Sequence, residues 1–78
     1  MPQKQALAEK DLAALAKRFR KKAMKSRAQA AREMQVSQTS IFHAEASPET
    51  SLFKLRARMI EAYSSFKVTG PVYFLKRK

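Results

Sequence analysis

Cysteine is absent from this 78-residue chain, so no disulfide framework, thiolate nucleophile or cysteine-ligated zinc can form. Tryptophan is absent too, and glycine and histidine occur once each, as Gly70 and His43. A single histidine excludes a multi-histidine metal site. With one glycine there is no glycine-rich phosphate loop, and no nucleophile–base pair or paired carboxylates can be assembled, so the chain is read as a non-enzyme with neither cofactor nor metal. No apolar run approaches the roughly 20 residues that would cross a bilayer, and no signal-peptide pattern is recognised. The expectation is a soluble, cytoplasmic protein without a membrane partner.

Acid is the other scarcity. Six Asp and Glu face 17 Lys and Arg, a formal net charge of +11. Charge of that size predicts a polyanionic partner, nucleic acid first. Its distribution is uneven: Lys17, Arg18, Arg20, Lys21, Lys22, Lys25, Arg27 and Arg32 stand together with no acid among them, whereas 36–53 contains no Lys or Arg. Cations so crowded repel one another unless an anion binds there.

Hydrophobic residues make up 45% of the chain, enough for one small core and too many for a disordered tail. Ala8, Leu12, Leu15, Phe19 and Ala23, with Ala16 beside them, recur at helical spacing and predict a first helix over 3–24, with Asp11 as an alternative N-cap. Ser26 followed by Gln29 is a capping box, opening a second helix lined by Ala30, Ala31 and Met34. Ser37 caps a third, over 38–44, with Ile41 and Ala44 inward. A fourth carries Leu52, Leu55, Met59, Ile60 and Tyr63, starting at Ser47-Pro48 or at Thr50-Ser51. Met24, Met34 and Met59 are read as gap-fillers of the core. Beyond residue 65 the β-branched and aromatic runs 66–69 and 72–75, separated by Gly70-Pro71, predict two short strands or one broken strand. An isolated hairpin is marginal in water, so these strands are expected to find support in a second copy of the chain.

Two short helices joined by a tight turn inside a basic helical domain predict a helix-turn-helix. The stretch from Ser26 to Glu45, and within it AAREMQVSQTSIFHAE, resembles the lambda-repressor-like, Cro/Xre-type helix-turn-helix proteins of phages and bacteria, and TSLFKLRARMIEAY resembles that family's next helix. The resemblance covers roughly residues 12–63. It departs from the family at Gln35, where glycine is usual in the turn, and at Arg27, where glutamine usually opens the second helix. Either Gln35 sits in a left-handed conformation, at a cost of about 1 kcal/mol, or the turn differs slightly from the family's.

The resemblance implies a mainly α fold of four to five helices with a short C-terminal β-strand or hairpin. On this reading 1–10 is an N-terminal extension, 11–63 the DNA-binding domain, and 64–78 a dimerisation segment with a basic tail. The third helix becomes a recognition helix in the major groove, where Gln38, Thr39, Phe42 and His43 read bases. Phosphate contacts fall to Lys21, Lys22, Lys25, Arg27, Arg32, Ser37 and Ser40. Phe66, Val68, Val72 and Phe74 are assigned to a homodimer interface. Glu45 is read as structural, bonding the second helix or a nearby arginine. The expected function is a sequence-specific transcriptional regulator, a repressor on a palindromic operator of double-stranded DNA, associated with the nucleoid. Two alternatives stand: an antitoxin that binds a partner toxin and autoregulates through DNA, and a non-specific RNA- or membrane-binding basic module.

Overall fold

The structure is a computed structural model and describes residues 7–69 and 74–78, excluding the side chain of Phe74. Four helices and a two-stranded antiparallel sheet follow in order: α1 Glu9–Lys22, α2 Arg27–Met34, α3 Gln38–Ala46, α4 Phe53–Tyr63, β1 Phe66–Thr69 and β2 Phe74–Arg77. Among the described residues no helix is long and apolar enough to cross a membrane.

Local hydrogen-bond chemistry sets the helix starts. At α2 the backbone N–H of Gln29 donates to Ser26 Oγ at 3.1 Å, and that of Ser26 donates to Gln29 Oε1 at 2.8 Å. The capping box is therefore complete, and both donors would otherwise be orphans. Ser37 Oγ accepts from the Ser40 N–H at 3.1 Å and starts α3. Asp11 lies in the first turn of α1, not ahead of it, and accepts from the Ala8 N–H at 2.9 Å. The expected helical start at residue 3 falls outside the described residues, and residues 7 and 8 are not helical.

Helix ends are made without glycine. Met24 and Gln35 both have φ near 60°. Each is followed by a residue whose N–H reaches back five positions, Lys25 to Arg20 O at 3.1 Å and Val36 to Ala31 O at 2.9 Å, which is the Schellman arrangement. Of the two alternatives for Gln35, the structure takes the left-handed one. Met24 differs from expectation: it is 87% exposed and fills no gap, because it serves as the left-handed stop of α1.

The core joins α1 to the other three helices through Leu12, Ala16, Ala30, Ala31, Met34, Ile41, Ala44, Leu55, Met59 and Ile60. Burying each of the larger members contributes about 1.5–3 kcal/mol. The alanines let α2 and α3 approach closely, as the small side chains at 30, 31 and 44 predict. Leu15 and Phe19 are half-buried, while Ala8 and Ala23, expected on the same stripe, are exposed.

Three helix boundaries moved: α1 ends at Lys22 instead of 24, α3 runs on to Ala46 instead of 44, and α4 starts late. Helix α4 starts at Phe53, after both expected starts, because 47–50 forms a turn closed by the Thr50 N–H on Ser47 O at 2.9 Å. The Arg56 guanidinium also takes the carbonyl oxygens of Ser47 and Thr50, which an earlier helix would need as its first acceptors. The described second strand, 74–77, runs two residues past the expected end at 75, with Phe66 opposite Arg77 and Val68 opposite Leu75; the expected strand residues 72 and 73 lie outside the described residues. That register places the Arg77 guanidinium 5.7 Å from the Phe66 ring centre. The strands take support from their own chain: Phe66, Val68 and Leu75 pack against the core, and Phe66 lies 6.1 Å from Phe19.

Candidate nucleic-acid interface

Helix α3 is joined to α2 by three residues, Gln35 to Ser37, and its faces divide by period. Ile41, Ala44 and Glu45 are buried; Gln38, Thr39, Phe42 and His43 are exposed. All four residues assigned to base reading therefore share the outward side of one helix. His43 Nδ1 lies 3.1 Å from Ser47 Oγ, which leaves Nε2 for an external partner. Ser40 is half-buried and its hydroxyl lies 3.0 Å from that of Ser37, so both hydroxyls are engaged in the cap.

Buried charge sets the helix's place. The Glu45 side chain is fully buried and accepts from Arg20 Nε at 2.5 Å and Nη2 at 3.0 Å, and from Arg27 Nε at 3.3 Å. Arg20 also donates to Lys25 O at 2.7 Å, tying α1 to the link before α2 and to α3. The Glu45 hydrogen bonds hold the Arg20 guanidinium above its ordinary pKa, against the opposing effect of burial. Glu45 is structural, as expected.

Arg56 is the second anchor and is fully buried. It donates to Ala44 O at 2.8 Å, Ser47 O at 2.8 Å, Thr50 O at 2.7 Å and His43 O at 3.4 Å, and it pairs with the Glu9 carboxylate. It thereby gives the Ala44 carbonyl, left without a backbone donor in the last turn of α3, its partner, and adds to the Ser47 N–H already on His43 O at 3.0 Å. Among the described residues no buried side-chain nitrogen or oxygen lacks a hydrogen-bond partner. Arg58 acts similarly on α2, donating to Met34 O at 2.8 Å.

The assigned phosphate ligands separate into two groups. Lys21, Lys22 and Arg32 are exposed and enter no ion pair among the described residues. Lys25 pairs with Glu33 at 2.8 Å, and Arg27 is held by Glu45 and by the Phe42 ring, 5.3 Å from its guanidinium carbon. Glu33 also accepts from Tyr63 Oη at 2.6 Å. The Lys25 and Tyr63 hydrogen bonds hold the Glu33 carboxyl below its ordinary pKa; burial, then Glu33, pushes the Tyr63 hydroxyl up.

Of the assigned dimer residues, Phe66 and Val68 are half-buried on their own core. Val72 and the Phe74 side chain lie outside the described residues. Among the described residues no group of three or more His, Cys, Asp or Glu is placed to hold a metal ion.

Sequence reasoning missed Arg20, Arg56 and Lys54. The first two were countable on apolar stripes: Leu12, Ala16 and Arg20 follow at four-residue spacing, as do Leu52 and Arg56. A cation on a buried stripe must find acceptors inside. Lys54 lines an open cleft of about 460 Å³ with Val36, Ser40 and Leu52, beside the N-terminal half of α3. Set against protein-family models, curated proteins and solved structures, the chain matches none.

Proposed function

We propose that this protein is a sequence-specific DNA-binding transcriptional regulator of lambda-repressor-like fold, with α3 as its recognition helix in the major groove. The observation that carries the reading is the outward face of α3. Gln38, Thr39, Phe42 and His43 are exposed, with no Lys, Arg, Asp or Glu among them, on a helix whose other end is held by buried arginines. Gln38 has the donor and acceptor to pair bidentately with adenine N6 and N7, and Thr39 offers a methyl and a hydroxyl to base edges. Lys21, Lys22 and Arg32 neutralise phosphates and set the register on the duplex. The N–H groups of Arg27 and Ala28, which the capping box leaves open at the start of α2, add to them.

The protein acts as a two-fold homodimer through the C-terminal strands, on half-sites about one helical turn apart, with the nucleoid as its place of work. Each phosphate neutralised adds about −0.9 to the slope of log affinity against log salt. Selection from random duplex DNA, read by sequencing, tests the reading. A two-fold symmetric enriched motif is the expected result. Equal binding of all duplexes and of RNA, unchanged by Gln38→Ala, would leave only a basic surface without sequence preference.

A further inference from the structure

Arg27 differs from the other cations near α3. Its side chain is 40% exposed, but it is not loose: Nε bonds the buried Glu45 carboxylate and the guanidinium lies over the Phe42 ring. Glu45 already has two hydrogen bonds from Arg20, so Arg27 is not needed to neutralise it. Phe42 is itself 45% exposed on the outward face of α3, an unfavourable place for an aromatic ring without a partner. The guanidinium covers it, within the ~6 Å at which a cation and an aromatic face attract.

With Nε committed, the two terminal nitrogens make no hydrogen bond among the described residues. They form the fork that matches guanine O6 and N7. A fork held by a carboxylate and an aromatic face loses little freedom on binding. Its contacts with Phe42 and Glu45, both on α3, put it at the reading helix. Phe42 supplies the apolar complement, and the thymine 5-methyl is the apolar group that the major groove displays.

We propose that Arg27 and Phe42 form one reading unit: Arg27 pairs with guanine, and Phe42 contacts the methyl of the thymine beside it. Each half-site then contains an adjacent thymine–guanine step. This inference rests on the DNA-binding reading above and names the bases that this part of the surface recognises.

The test uses the full chain. Wild-type selection comes first; the absence of any symmetric motif overturns both the reading and the inference. With a motif in hand, the inference stands or falls separately. The motif should contain the thymine–guanine step. Arg27→Lys keeps the charge and loses the fork, so it should bind the selected duplex about 5- to 150-fold more weakly and lose its preference for guanine. Its affinity for random duplex and its salt slope should not change. Deoxyuridine in place of the thymine removes only the methyl, and should weaken wild type but not Phe42→Ala. Thermal melting of both variants should stay near wild type, since Arg20 still pairs with Glu45. A motif lacking the step overturns the inference, as does deoxyuridine that wild type ignores. So does an Arg27→Lys protein that keeps its guanine preference while Arg27→Gln weakens all duplexes alike and lowers the salt slope by about 1, the signature of a phosphate contact.

Discussion

At its C-terminal end α3 is fastened by two buried arginines: Arg56 takes the carbonyls of His43 and Ala44, and Arg20 grips Glu45. At its N-terminal end the hydroxyl of Ser37 supplies the cap, and Gln38 and Thr39 stand in solvent. A buried cation is tolerable only when every donor finds an acceptor, so the arginines impose one position on the C-terminal end. The exposed residues impose nothing and remain available. The contrast also divides a charge of +11. Arg20 and Arg56 are part of the interior, and only the remaining cations can attract an anion.

If this division is right, the largest effect comes from Arg56→Met. The substitution leaves the inward carbonyls of His43, Ala44, Ser47 and Thr50 without the donor they now share, and it frees Glu9. Breaking a buried pair and its hydrogen bonds should cost about 4–5 kcal/mol. For a domain of this size that lowers Tm by about 15 °C or more, measured by circular dichroism. A loss below about 1 kcal/mol would mean that water replaces the arginine and that the anchored end is not anchored.

Glu45→Gln comes next, at about 3 kcal/mol, since it leaves Arg20 as a buried cation without its counter-charge. The double variant Glu45→Gln, Arg20→Met should recover part of that loss, because an apolar replacement of both partners removes the unpaired charge. Equal melting of the single and double variants would show that the two groups do not depend on each other.

Part of this contrast was legible in the sequence and part was not. The capped starts of α2 and α3 were legible, because Ser26, Gln29 and Ser37 act on backbone groups three residues away at most. The exposed face of α3 was legible because Ile41 and Ala44 fix which side turns inward. The arginine anchors were legible only as cations on apolar stripes; their acceptors were not, because these are distant in sequence: Arg20 meets Glu45 25 residues on, and Arg56 meets Glu9 47 residues back. The displaced start of α4 has the same origin, since Arg56 removes the acceptors that an earlier helix would need. The extension of the second strand to Arg77 follows from pairing register, which alternation within one strand does not determine.

The two left-handed helix stops allow a smaller test. Met24→Gly and Gln35→Gly each relieve a φ near 60° and should stabilise by about 1 kcal/mol, raising Tm by about 4–8 °C. Neither touches the arginine anchors, so the gains should survive in the Arg56→Met background. Loss of the Gln35→Gly gain there would mean that the turn before α3 depends on the clamp after it.

A weaker link gives a pH signature. Tyr63 titrates above its ordinary value of 10.0, so its contribution is complete below that pH and declines as the unfolded chain ionises above it. Glu33 titrates below its ordinary value of 4.5, so its contribution is present above that pH and fades below it. Tyr63→Phe should therefore lower melting near pH 7, where that contribution is complete, and flatten the alkaline limb of the stability curve. An unchanged alkaline limb would place that titration elsewhere.

The smallest effect on stability belongs to the open end of α3, and there the comparison is sharpest. Gln38→Ala and Thr39→Ala together remove two exposed side chains that make no recorded bond among the described residues, so melting should move by no more than about 0.5 kcal/mol. Alanine is the better helix former, and the shift should be slightly upward. Binding should behave in the opposite way. Each lost base contact weakens affinity for the selected duplex by about 1–3 kcal/mol, while affinity for random duplex is untouched, because Lys21, Lys22 and Arg32 remain. Fluorescence anisotropy on both duplexes, beside a thermal melt, separates the outcomes. A protein that melts normally and has lost only its preference has an end reserved for recognition. A protein destabilised by more than about 1 kcal/mol has an N-terminal end that belongs to the fold as fully as the arginine-held one.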